Sequence, residues 1–187
     1  MINIKKLAAI LFGLLSFEIY GNSEFNIISQ CSDEYETSCD VIRKVGGKEE
    51  VILNKIKSPS IERITENLFH VISSCGSPCV GHFFISRKEQ DFTSELIILD
   101  ASTNCMVESD SSKKKIYAKK IFSEDRRILL NLKDSAYESL PSKFNYYSNF
   151  NEMSNFDKQG NLNLVADDYG EILIRKTIKN PCEAIKK

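Results

Sequence analysis

Phe69-His70-Val71-Ile72-Ser73-Ser74-Cys75-Gly76-Ser77-Pro78-Cys79-Val80-Gly81-His82-Phe83-Phe84-Ile85 reads as a β-hairpin, and with it the chain reads as β-rich. Gly76-Ser77-Pro78 is a turn-forming tripeptide, and β-branched and aromatic residues run away from it on both sides. A bridge between Cys75 and Cys79 would close the turn and set the register. Phe69 then faces Ile85, Val71 faces Phe83 and Cys75 faces Cys79 on one side of the ribbon, a wholly apolar face expected to point to the core. His70 with Phe84 and Ile72 with His82 occupy the other side. The two histidines are thus diagonal neighbours, and half-exposed packing is the role expected for them. Two imidazoles without a third ligand at recognisable spacing do not make a zinc site.

The same pattern of short apolar runs between turn signals extends outward. Strands are expected over Phe25–Ile28, Val51–Lys57, Asn67–Ser74, Gly81–Ser86, Ser94–Leu99, Lys115–Ile121, Arg127–Leu132, Asn161–Ala166 and Glu171–Ile178. Gly46-Gly47, Asp157–Gly160 and Asp167–Gly170 read as hairpin connections. Helical periodicity is weak, with Ile61–Asn67 and Ser135–Leu140 the best candidates. The expected class is all-β, with small antiparallel sheets arranged as a propeller or a sandwich and stapled by disulfides.

The N-terminus bears on location. Met1–Lys6 is short and basic, Leu7–Phe17 is an unbroken apolar run, and Glu18–Ser23 is polar with Gly21 near its end. That order reads as a secretory signal over residues 1–21, followed by a single β-rich domain over 22–187. The apolar run is shorter than the about 20 residues that span a bilayer. Export to the periplasm as a soluble protein is expected, with no membrane insertion once the signal is removed. Lys5, Lys6 and Glu18 lie in the signal, so 25 basic and 26 acidic residues become 23 and 25. A near-neutral, mixed surface argues against nucleic acid as a partner. The basic run Lys113–Lys115 with Lys119 and Lys120 reads as the solvated face and turn of a strand.

All six cysteines, Cys31, Cys39, Cys75, Cys79, Cys105 and Cys182, follow the signal. In an oxidising compartment an even number implies disulfides, and six allow 15 pairings. Beside Cys75–Cys79, Cys31 and Cys39 enclose the acidic stretch Ser32–Ser38, and a bond from Cys105 to Cys182 would tie the C-terminus to the body.

Catalytic signatures are not found. A disulfide would consume the thiol that a Cys75–His70 nucleophile needs. No Gly-x-Ser-x-Gly elbow, phosphate loop or His-Glu-x-x-His helix occurs, and Asp167-Asp168 lacks the alternating oxygen ligands of a calcium loop. The expectation is a protein that is not an enzyme and carries no metal and no cofactor. An aromatic segment, with Phe144, Tyr146, Tyr147, Phe150 and Phe156, reads as a loop tucked into the core edge, with an exposed contact surface as the alternative.

Gly81–Val107 orders an apolar strand (His82–Ser86), a polar loop (Arg87–Thr93), a second strand (Ser94–Leu99) and Asp100-Ala101-Ser102-Thr103-Asn104-Cys105-Met106-Val107. Together with the ending Asn180-Pro181-Cys182-Glu183-Ala184-Ile185-Lys186-Lys187, this resembles the periplasmic immunity proteins that neutralise peptidoglycan amidases delivered by type VI secretion. The resemblance implies a small, exported, disulfide-bonded β-protein with propeller-like sheets. It also implies that a loop between two strands enters the cysteine–histidine groove of a secreted amidase, the protein partner. Glu89, Gln90, Asp91, Phe92, Thr93 and Ser94 are the partner-binding residues on this reading, offering carboxylates, an amide, hydroxyls and one apolar anchor. An envelope-associated interaction protein without an enzyme target is the first alternative, and a secreted hydrolase the second.

Overall fold

The computed structural model describes residues 24–76, 79–140, 148–151 and 153–183. The expected signal segment lies outside the described residues, as do Phe144, Tyr146, Tyr147 and the side chains of Cys75 and Cys79, and with them the Cys75–Cys79 bridge.

The chain is all-β, built as three antiparallel sheets in sequence order. The first sheet runs β1 (Phe25–Cys31), β2 (Cys39–Val45), β3 (Lys48–Thr65), β4 (Leu68–Gly76), β5 (Cys79–Ile85) and β6 (Gln90–Thr93), each beside the next. The second holds β7 (Leu96–Asp100), β8 (Cys105–Asp110), β9 (Lys115–Lys120) and β10 (Arg127–Asn131). The third holds β11 (Asn155–Phe156), β12 (Leu162–Asp168) and β13 (Glu171–Ile178).

β3 is the corner of the first sheet. It is 18 residues long, its first half pairs with β2 and its second half with β4. Lys55 and Ser58 in its middle take left-handed backbone angles (φ 52° and 41°), and the ladder shifts register there. Such irregularities bend a strand sharply and let it serve two surfaces. The bend brings β1 and β2 over β4 and β5, and the space between fills with Phe25, Ile27 and Val41 against Phe69, Val71 and Ile85. Phe25 and Phe69 meet edge to face at 5.1 Å, and Arg63 donates to the Phe25 carbonyl at 2.8 Å.

The hairpin that opened the sequence reading has the expected register. Phe69 pairs Ile85, His70 pairs Phe84, Val71 pairs Phe83 and Ile72 pairs His82. At the turn the ladder slips by one residue, so that Gly76 rather than Cys75 stands opposite Cys79. The histidine face differs more. It is not half-exposed but buried, because Leu68 and Phe84 pack there against Leu96, Met106 and Ile121 of the second sheet. The β4–β5 hairpin is therefore covered on both sides.

The second and third sheets share the largest core. Ile97, Val107, Ile116, Ala118 and Leu130 meet Leu162, Leu164, Ala166 and Ile174 there, together with Phe150. A disulfide joins Cys105 on β8 to Cys182 beyond β13, and another joins Cys31 to Cys39 at the last pair of β1 and β2. Gly46-Gly47, Asp157–Gly160 and Asp167–Gly170 occupy the β2–β3, β11–β12 and β12–β13 turns.

Several expectations change. Ile61–Asn67 is not helical, since β3 continues to Thr65, and Ser135–Leu140 shortens to a 3-10 turn over Ser135–Tyr137. Strands β2, β6, β8 and the two-residue β11 arise where none was expected. Phe150 is fully buried, and Phe156 packs on the same core.

Candidate functional site

Three hairpin turns and the end of a further strand converge at one edge of the junction between the first and second sheets. There, Thr65, Asn67 and Leu68 of the β3–β4 turn face Thr103 and Asn104 of the β7–β8 turn. Ser86 and Glu89 of the β5–β6 turn and Lys120, Ile121 and Phe122 after β9 complete a cleft of about 350 Å³. Its floor is apolar and its rim polar, the usual makeup of a binding cleft. Asn104 and Phe122 both hold left-handed backbone angles (φ 53° and 66°), and a bulky residue persists there only where its surroundings impose it. The imposition is visible at Phe122, whose amide donates to the Asp91 carboxylate at 2.9 Å.

The β5–β6 turn is held from several directions. The Ser86 amide donates to the Glu89 carbonyl, the Ser86 hydroxyl accepts from the Glu89 amide (both 2.9 Å), and Arg87 donates to the Asn67 side chain at 3.1 Å. Turn geometry and an Arg–Asn bond thus fix the lip of the cleft.

The expected loop over Glu89–Ser94 is mostly strand. Gln90, Asp91, Phe92 and Thr93 pair with Ile85, Phe84, Phe83 and His82, forming an edge strand whose residues alternate in direction. Asp91 points to the second sheet and bonds Lys119 at 2.7 Å, with side-chain exposures of only 12% and 5%. Lys119 is therefore not part of a solvated basic face. Thr93 is buried as well, its hydroxyl accepting from the Glu95 amide at 3.2 Å. Asp91 is thus turned inward and Thr93 is buried, so neither shares the outward side of β6.

Phe92 faces the other way and stands half-exposed. Its ring lies 4.8 Å from that of Phe83, and a Cβ added at Gly81 would meet both rings at 3.1 Å. The absence of a side chain at Gly81 leaves room for the two rings, tilted 41° to each other, to close over the β5 backbone. Glu89, Gln90 and Ser94 are exposed. The six residues therefore separate: Glu89 lines the cleft, Gln90 and Phe92 face outward on the opposite side of β6, Ser94 follows the strand, and Asp91 and Thr93 anchor it.

His70 and His82 bond each other directly, Nε2 to Nδ1 at 3.0 Å, with the His70 ring stacked on Phe84 at 4.7 Å. Burial pulls both imidazoles below their ordinary range, and at His82 the neighbouring His70 adds to the effect and brings the value to about 4. The outer nitrogen of His82, Nε2, is buried with no partner among the described residues. Among the described residues no group of three metal-ligating side chains occurs. The Asp167–Gly170 segment is a turn closed by the Gly170 amide donating to Asp167 at 3.1 Å. No described helix is long and apolar enough to cross a membrane.

Sequence reasoning missed the Asp91–Lys119 pair and the inward turn of Thr93. The only local signal was the alternation Gln90-Asp91-Phe92-Thr93, in which polar residues occupy both faces. Comparison with models of known families, with curated proteins and with solved structures finds no match.

Proposed function

We propose that the protein is an exported inhibitor that neutralises a secreted cell-wall amidase, an immunity protein acting through the β5–β6 rim and not through catalysis. One observation carries the reading: the outward residues Glu89, Gln90, Phe92 and Ser94 sit on a segment whose alternate residues are locked to the body. Asp91 is clamped to Lys119 and Phe122, and Thr93 is buried. A rim fixed in this way loses little conformational freedom on binding, which favours tight association. Phe92 supplies an aromatic anchor of the kind that dominates interface energetics, with Gln90 and Glu89 as polar neighbours. Thr93 has no part in the contact, and Ser94 is the hydroxyl that remains available to a groove histidine.

The reading also rests on the resemblance of Gly81–Val107 and the C-terminal ending to amidase immunity proteins, and on disulfides that suit an exported chain. The test is inhibition of cell-wall digestion by a secreted amidase encoded beside this protein. A 1:1 complex and loss of digestion at stoichiometric protein are expected. Digestion that continues at a large excess of the protein would overturn the proposal.

A further inference from the structure

The two disulfides resolved among the described residues each staple one side of the molecule. Cys31–Cys39 lies within the first sheet, and Cys105–Cys182 joins the second sheet to the end of the third. Neither crosses from the first sheet to the second. That junction is held by a small apolar cluster, by the Asp91–Lys119 pair, and by the face on which His70 and His82 are buried.

The bond between the imidazoles needs at least one of the two rings neutral, and any charge on the pair is buried. A neutral pair places one N–H between Nε2 of His70 and Nδ1 of His82. With both rings protonated, each of those nitrogens carries a hydrogen, so the bond is lost and two like charges stand beside Phe84. The ionisable groups sharing this face are Glu62 of β3, opposite His70, and Asp91 of β6, with Glu108 on β8 and Tyr117 and Lys119 on β9. Arg126 lies over Tyr117 and pairs with Glu108 at 3.2 Å. Asp91 is taken up by Lys119, and among the described ion pairs none involves either imidazole. Among the described residues, no carboxylate lies within ion-pair distance of either imidazole.

We propose that the His70–His82 pair makes the junction between the first and second sheets an acid-sensitive joint, which opens on protonation and loosens β4, β5 and β6 ahead of the second and third sheets. The direction follows from linkage. Histidine titrates near 6.5 in an unfolded chain and lower here, so the open state binds more protons. The stabilisation is complete above about pH 6.5 and is lost as pH falls toward 4. The apolar cluster and the Asp91–Lys119 pair set the resistance to opening.

Amide hydrogen exchange on the mature, disulfide-intact chain at pH 7 and pH 5, corrected for intrinsic rates, tests the proposal. Protection of β4, β5 and β6 should fall by roughly tenfold or more relative to β8, β9 and β12. The double variant His70→Leu/His82→Leu should show no such selective loss. Uniform loss across the three sheets, no loss, or the same selective loss in the variant would each overturn the proposal. Should the variant fail to fold, the wild-type comparison still decides between selective and uniform loss.

Discussion

The junction between the second and third sheets and the junction between the first and second are built on different principles. The former buries aliphatic residues from both sheets around Phe150 and is crossed by Cys105–Cys182. The latter buries only Leu68, Phe84, Leu96, Met106 and Ile121 as apolar core, then adds an ion pair and two hydrogen-bonded histidines. Apolar burial is indifferent to pH and direction, whereas polar contacts hold only for one protonation state and one geometry. One junction is built for permanence. The other fixes the orientation of β6, and it is the one that positions the proposed contact rim.

Removing the covalent link should have the largest effect. Cys105→Ala/Cys182→Ala opens a loop of sequence separation 77, against 8 for Cys31–Cys39. Chain entropy then gives a loss of about 4.5 kcal/mol for the first and about 2.5 kcal/mol for the second. Urea unfolding of the two double variants checks the order. Equal losses would mean that the long bridge does not brace the C-terminal junction as described.

A smaller loss, about 3 kcal/mol or more, is expected for Asp91→Ala, because Lys119 would remain buried without its partner. Adding Lys119→Met should restore most of it, since the uncompensated charge is then gone. If the double variant is no more stable than Asp91→Ala alone, the pair is not what sets that cost.

The smallest stability effect belongs to Phe92→Ala, about 1 kcal/mol, since half of the ring is already in water and the remainder covers Gly81 and Phe83. A thermal shift of a few degrees at most is expected. A collapse of the fold would show that this ring is structural first and a contact residue only by position.

Much of this contrast was hidden from the sequence for physical reasons. The β4–β5 register was legible because closing the Gly-Ser-Pro turn at Cys75 and Cys79 puts Phe69, Val71, Phe83 and Ile85 together on one wholly apolar face. The burial of the histidine face was not, because its cover comes from Leu96, Met106 and Ile121, which are distant in sequence. Ile61 and Ile64 imitate a helical spacing, yet they serve opposite faces of β3, one in each of two cores. β8 escaped notice because Cys105 through Ser109 are all buried, which erases the alternation that marks a half-exposed strand. β6 escaped because its inward residue is a carboxylate whose partner stands 28 positions away, a pairing no local pattern encodes.

The division of β6 into outward contact residues and inward anchors is tested most directly by measuring affinity and stability on the same variants. Calorimetric titration of a cognate secreted amidase, alongside thermal melting, should separate Phe92→Ala from Thr93→Ala. The predicted result is an affinity loss of roughly thirtyfold or more for Phe92→Ala with melting lowered by a few degrees at most, the signature of an interface anchor worth about 2 kcal/mol. Thr93→Ala should instead lower the melting temperature and leave the affinity of the folded protein close to wild type. Unchanged affinity in Phe92→Ala would contradict the assignment of the β6 rim as the inhibitory surface.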